Sequence, residues 1–235
     1  MVAELGAAEG RRFFPRYYPK TLLGMPVLGA ELPCGLSSRR LAGVAGGLRK
    51  RGIRRFLTTP AMRGIALPGL SPVDPLPLLW AKGDELALAL LEGAPLRERR
   101  IVLRGEKADI LACRLALALC PQVGMLLLDF DRGEEELRAL LWGEQGAAVL
   151  ALGTGFAPQV SIELSPRPTA VGKVLKLWGE PGLAGLTLSS ELSMPPDCDP
   201  LPLLTLAWEA GRISLSGIKV RKSLDRSGEN QYNTQ

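Results

Sequence analysis

The clearest pattern in the chain lies between Arg99 and Leu152. A short apolar run, Ile101-Val102-Leu103, is followed by an amphipathic segment from Lys107 to Cys120 that Pro121 closes. A second apolar run, Met125 to Leu128, ends in Asp129-Phe130-Asp131, and a second helical segment from Glu134 to Trp142 leads to a third run, Ala147 to Leu152. Strand-length apolar runs alternating with helical segments are the signature of parallel βαβ units.

The flanking segments extend the pattern. Val27 to Leu32 predicts a strand and Pro33-Cys34-Gly35 a turn. A helix capped by Ser37 or Ser38 follows, with Leu41, Val44, Ala45 and Leu48 on its apolar face. Arg49-Lys50-Arg51 suits that helix's C-terminal dipole and Gly52 suits its end, so Ile53 to Thr58 becomes the next strand. Residues 1–24 read as an irregular arm, and Thr59 to Pro77, rich in Pro and Gly, as a linker or long surface loop. Asp74-Pro75 opens a helix running to about Glu92. Val160 to Leu164 alternates as a strand does. Beyond it, strands are predicted over Lys173–Trp178, Gly185–Ser189, Leu203–Glu209 and Arg212–Val220, the last two joined by a hairpin at Ala210-Gly211.

The fold class expected is therefore α/β: a mainly parallel, Rossmann-like sheet with helices on both faces and a small β-rich C-terminal extension. The expected divisions are a basic N-terminal α/β portion (1–92), a βαβαβ core (93–165), the β-rich extension (166–220) and a flexible polar tail (221–235).

Charge sharpens the N-terminal picture. Residues 1–63 hold twelve Lys and Arg against three acidic residues, and the remainder seventeen against twenty-one. An acidic partner for the first part is one consequence, and mutual attraction of the two parts another. The run Arg11-Arg12-Phe13-Phe14-Pro15-Arg16-Tyr17-Tyr18 interleaves cations with aromatics, which suits stacking on bases. The plainer reading, preferred here, is an arm whose aromatics pack inward while its charges face water. No apolar run reaches the ~20 residues of a membrane span, and the N-terminus lacks a secretory signal's apolar stretch, so a soluble cytoplasmic protein is expected.

Histidine is absent, which removes Ser-His-Asp and Cys-His mechanisms. The cysteines at 34, 113, 120 and 198 contain no Cys-x-x-Cys pair, so no metal site is expected. Cys34, ahead of a helix with Arg39 and Arg40 one turn on, has surroundings that could activate a thiol, although a structural role is the expectation. Asp197-Cys198-Asp199, in a Pro-rich loop, could attract a cation or be simply solvated.

Parallel sheets bind ligands at the C-terminal ends of their strands. The polar residues predicted there are Glu31, Cys34, Thr58, Thr59, Arg104, Glu106, Asp129, Asp131, Thr154 and Glu163. Of a G-x-G-x-x-G phosphate turn only Gly105 is present, and Asp129 and Asp131 end the second strand of the unit. Over about residues 98–165 the order strand, helix, strand, acid, helix, strand resembles the nucleotide-binding half of shikimate-dehydrogenase-like and other NAD(P)-dependent Rossmann proteins. That resemblance implies NAD or NADP as cofactor, with Arg104, Gly105, Lys107, Asp129, Asp131 and Thr154 as the cofactor-binding set. Without the other glycines, the preferred function is a non-catalytic Rossmann-like protein that binds a small ligand or a protein partner. The alternatives are an NAD(P)-dependent oxidoreductase with a divergent phosphate turn, and nucleic-acid binding through the basic N-terminal region.

Overall fold

The structure, a computed structural model, describes residues 1–8, 14–33, 35–147, 149–151, 157–168 and 171–222. In chain order the elements are β1 (Val2–Ala7), β2 (Arg16–Leu22), β3 (Met25–Leu32), α1 (Ser38–Lys50), β4 (Arg55–Thr58), β5 (Ser71–Pro72), α2 (Leu76–Ala81), α3 (Gly83–Leu90) and β6 (Arg100–Lys107). These are followed by α4 (Ile110–Leu119), β7 (Met125–Arg132), α5 (Glu134–Gln145), β8 (Leu150–Ala151), β9 (Val160–Glu163), β10 (Lys173–Lys176), β11 (Leu186–Ser190), α6 (Pro200–Glu209) and β12 (Ile218–Lys222). The expected α/β architecture is present and is distributed over two five-stranded sheets. The chain forms two compact units, Met1–Leu78 with Ser190–Ile218, and Leu79–Ser189 with Lys219–Gln235. No helix among the described residues is long and apolar enough to cross a membrane.

The first unit is built on a sheet of order β2-β3-β1-β4-β5, parallel except for the edge strand β2. Side chains alternate faces along a strand. Ala3, Leu5, Ala30, Leu32 and Phe56 pack on one face against Val44, Ala45 and Leu48 of α1. Val2, Val27 and Leu57 pack on the other against Leu203, Leu206 and Ala207 of α6.

Residues 1–24 are not the expected irregular arm. β1 is the central strand, and β2 makes an antiparallel hairpin with β3 through Leu23 and Gly24, both at positive φ, +50° and +74°. Two positive-φ residues make a turn whose twist matches a hairpin, and Leu at the first of them gives no sequence cue. The prolines of this stretch are tolerated because β2 lies at the sheet edge.

Leu203 to Glu209 is likewise a helix and not a strand. Pro200 and Pro202 sit in the first turn of α6, where a backbone N–H has no intrahelical partner to lose, and the Asp199 carboxylate caps it by accepting from the Leu201 amide at 3.3 Å. Ala210 and Gly211 therefore end a helix and make no hairpin. Of the strand expected over 212–220, only Ile218 onward pairs as a strand.

The second unit's sheet has the order β10-β9-β6-β7-β8, all parallel, and β11 with β12 forms a small antiparallel pair. The single helix expected from Asp74 to Glu92 is broken at Lys82. A Cβ on Gly83 would stand 2.8 Å from Leu115 Cδ2 of α4, so α3 and α4 approach through the missing side chain. Lys82 is itself buried, with its ammonium on both carboxylate oxygens of Glu85 at 2.7 and 2.8 Å.

Candidate functional site

Alternation and register assemble a polar cluster in the first unit. Glu4 pairs in register with Gly29 and Leu57, and Gly29 pairs with Tyr18. Stepping two residues along each strand keeps to the same face, which adds Gly6, Lys20, Glu31 and Thr59. α6 covers the half of this face nearest the strand N-termini, through Val2, Val27 and Leu57. At the other end a cavity of about 570 Å³ remains, lined by Glu4, Tyr18, Lys20, Glu31, Thr59 and Asp197 among others. Gly29 shapes it: a Cβ there would stand 2.6 Å from the Tyr18 ring, so only glycine lets the ring lie flat across β3.

Glu4 is the deepest charge of this cavity, 3% exposed on a central strand. Lys20 Nζ lies 2.6 Å from Glu4 Oε2, and Cys198 donates its thiol proton to Glu4 Oε1 at 3.0 Å. Burial pulls the Lys20 ammonium down, but the hydrogen bond and charge of Glu4 outweigh this, so its pKa lies above the ordinary lysine value. For Cys198, burial comes first and Glu4's hydrogen bond and charge add to it, and the thiol is pushed up to about 12. The cavity floor is thus the Glu4 carboxyl group held between the Lys20 ammonium and the Cys198 thiol. Thr59 Oγ1 is buried with no hydrogen-bond partner among the described residues.

The thiol gives a measurable pH dependence. Between its ordinary value of 9.0 and about 12, folded Cys198 keeps the proton that the unfolded chain loses, so stability present below pH ~9 declines as pH rises toward 12. Denaturant titrations should show the wild type losing about 2 kcal/mol more than Cys198→Ser between roughly pH 8 and pH 10.5. Parallel losses in the two proteins would mean that the folded thiol ionises as freely as the unfolded one.

In the second unit the strand ends are tied to one another. Arg104 on β6 stands in register with Asp129 on β7 and Glu163 on β9. Its Nε donates to Asp129 Oδ2 at 2.7 Å, its Nη2 to the Pro168 carbonyl at 3.1 Å, and its Nη1 lies 4.0 Å from Glu163. Arg167 binds Asp131 at 2.8 Å and also donates to the carbonyls of Gly105 and Asp129. The Glu106 amide donates to Ser165 Oγ at 2.7 Å, which draws the loop after β9 over these strand ends.

The sequence-predicted cofactor set falls here. Gly105, expected in a turn, lies within β6 beside the Phe130 ring, while Lys107 is exposed at the end of that strand. β6 runs on past the expected turn because its ladder with β7 extends to Lys107–Arg132. The N-terminus of α4 is capped by Asp109, which accepts from the Ala112 amide at 3.0 Å. Thr154 and Cys34 lie outside the described residues. Among the described residues, no group of three His, Cys, Asp or Glu is placed to hold a metal ion.

Of the strand-end residues read from the sequence, Glu31 and Thr59 line the cavity of the first unit. Glu4, Tyr18 and Lys20 were missed because their strands read as an arm. The signal available was a lone acid inside the apolar run Val2 to Ala7.

No family model and no curated protein matches the chain. Among solved structures, L-tryptophan dehydrogenase from Nostoc punctiforme is 13% identical over 60% of this chain, with a TM-score of 0.30. Ornithine carbamoyltransferase from Pyrococcus furiosus is 14% identical over 69% of it, with a TM-score of 0.26. The chain spans 44% and 58% of those two proteins. At these scores neither likeness decides anything about this chain.

Proposed function

We propose that the protein binds a small polar ligand in the cavity of its first unit, at the C-terminal ends of β1, β3 and β4. The observation that supports this most is the buried Glu4 carboxylate, held by Lys20 and Cys198 at the floor of an open cavity. Burying a charge on a central strand is costly, and packing alone gives no reason for it. Ligand pockets commonly measure 300–1,000 Å³ and place a few polar groups to fix orientation. Here the Lys20 ammonium offers donors, Glu31 and Asp197 offer acceptors, and Thr59 brings a hydroxyl with no partner among the described residues. A molecule the size of a sugar or an amino acid, bearing hydroxyl, amine or carboxylate groups, suits that set.

The second unit we read as a Rossmann-like scaffold whose ligand edge is occupied by its own arginines. Arg104 and Arg167 hold the acids that a ribose would otherwise engage.

A thermal-shift screen of the purified protein against sugars, amino acids, hydroxy acids, NAD and NADP tests both readings. A ligand at a hundred times its Kd adds ~2.7 kcal/mol, a shift of several degrees. The expected result is a shift with one small polar class that shrinks in Thr59→Val, whose shape matches threonine. A shift with NAD or NADP alone, unchanged in Thr59→Val, would move the site to the second unit. A flat screen would remove the small-ligand reading.

A further inference from the structure

We infer that the α1 side of the first unit is a binding surface for single-stranded nucleic acid, independent of the cavity above. The two lie on opposite faces of the same sheet, since α1 covers the face carrying Ala3 and Leu5 while the cavity residues share the face of Glu4.

Two hollows lie along α1. The first, about 550 Å³, is lined by Phe14, Tyr17, Arg40 and Gly43 among others. The second, about 590 Å³, is lined by Gly46, Arg49, Lys50, Arg54 and Gly69. Gly43 and Gly46 lie about one turn apart, so an aromatic hollow and a cationic one border the same helix. Neither lining contains an acidic side chain.

Phe14 is 81% exposed. The arm reading of the sequence expected the aromatics of this run to pack inward, and Tyr17 and Tyr18 do pack on the unit. Phe14 stays in water. Tyr17 is held in place by the Arg51 guanidinium 4.7 Å from its ring centroid.

The cations are equally uncommitted. Arg39, Arg40, Arg49, Lys50 and Arg54 are exposed and make no ion pair among the described residues. Among the described residues Arg54 reaches only the carbonyl of its neighbour Ile53, at 3.4 Å. The dipole at the end of α1 offsets about half a charge, so three full cations there leave a positive field. From Arg39 to Lys50 the helix rises about 16 Å, which spans about five phosphates at the compact duplex spacing of ~3.4 Å and fewer along a more extended single strand.

A basic track beside an exposed aromatic is how proteins hold single strands: phosphates follow the cations and an unpaired base stacks on the ring. A duplex keeps its bases stacked on each other and leaves Phe14 unused, and a lipid surface offers it no planar partner.

The test is fluorescence anisotropy with the full chain and a labelled oligo-dT of about 12 nucleotides at low salt. Binding should weaken with salt along a slope of about −2 to −3, at ~−0.7 per phosphate neutralised. Phe14→Ala should weaken it about tenfold with the slope unchanged. Lys50→Glu should weaken it and flatten the slope by about 0.7 or more. Arg212→Glu, the same charge change at an exposed residue away from α1, should do much less. All three residues are exposed, and circular dichroism checks that each variant is folded. The inference is overturned by absent binding at low salt, by equal losses in Lys50→Glu and Arg212→Glu, by an unaffected Phe14→Ala, or by equal competition from duplex DNA or from vesicles containing phosphatidylserine.

Discussion

Arg104→Met should be the most damaging single change in the second unit, lowering its stability by about 3–5 kcal/mol. Arg104 is 6% exposed and is the one cation in register between Asp129 and Glu163. Methionine fills similar space but leaves a buried carboxylate at Glu163 and a half-buried one at Asp129 without their shared counter-charge. It also strips the Pro168 carbonyl of its donor. Thermal unfolding should show a fall on the order of 10 °C. The double variant Arg104→Met with Glu163→Gln should recover part of the loss, because one orphaned charge is gone. A double variant no better than the single one would show that Arg104 acts through packing and not through charge.

The second large effect is expected at Lys20. Glu4 is buried on a central strand, and Lys20 is its ammonium partner. Removing one member of a buried pair costs ~3–5 kcal/mol, and about a third of the Lys20 side chain is open to water, which reduces this to roughly 2–3 kcal/mol. Lys20→Met should therefore destabilise the first unit and abolish any ligand-induced thermal shift at the cavity. Lys20→Gln, which keeps a donor without the charge, should fall between. Glu4→Gln should cost less than Lys20→Met, because it removes the buried charge itself and leaves the ammonium access to water. If Lys20→Met matched wild type by denaturant titration, Glu4 would need another source of stabilisation.

Much of the architecture was legible because period and punctuation agreed. α1 showed its apolar face through Leu41, Val44, Ala45 and Leu48, and β6 and β7 were continuous apolar runs, as strands covered on both faces must be. The N-terminal strands were hidden for a local reason: Pro15, Pro19 and the Leu23-Gly24 turn all speak against a hairpin, yet an edge strand accepts them. α6 was hidden by its two prolines, which break a helix interior and suit a first turn.

The site was half legible. Glu31 and Thr59 follow from the rule that ligands gather at strand ends, since both end strands whose apolar runs are plain. Glu4 and Lys20 depend on pairing between β1, β3 and β2, which no local pattern records. Arg104 and Asp129, read as strand-end residues, stand within β6 and β7, which each run three residues further, and the loop residues Arg167 and Pro168 that also bond there come some forty to sixty residues later in the chain.

The order in which the chain is made bears on the cavity. The helix that covers Val2, Val27 and Leu57, and the loop that carries Cys198, belong to residues 190–218, more than a hundred residues after the sheet they complete. During synthesis that sheet face stands uncovered while the whole stretch 79–189 is translated, and a bare apolar face is the kind of surface that aggregates or recruits chaperones. Glu4 meanwhile waits without its thiol donor. The proposed ligand site is therefore finished only after the stretch 79–189 has been made, and only a ribosome that has passed Cys198 carries a chain able to complete it.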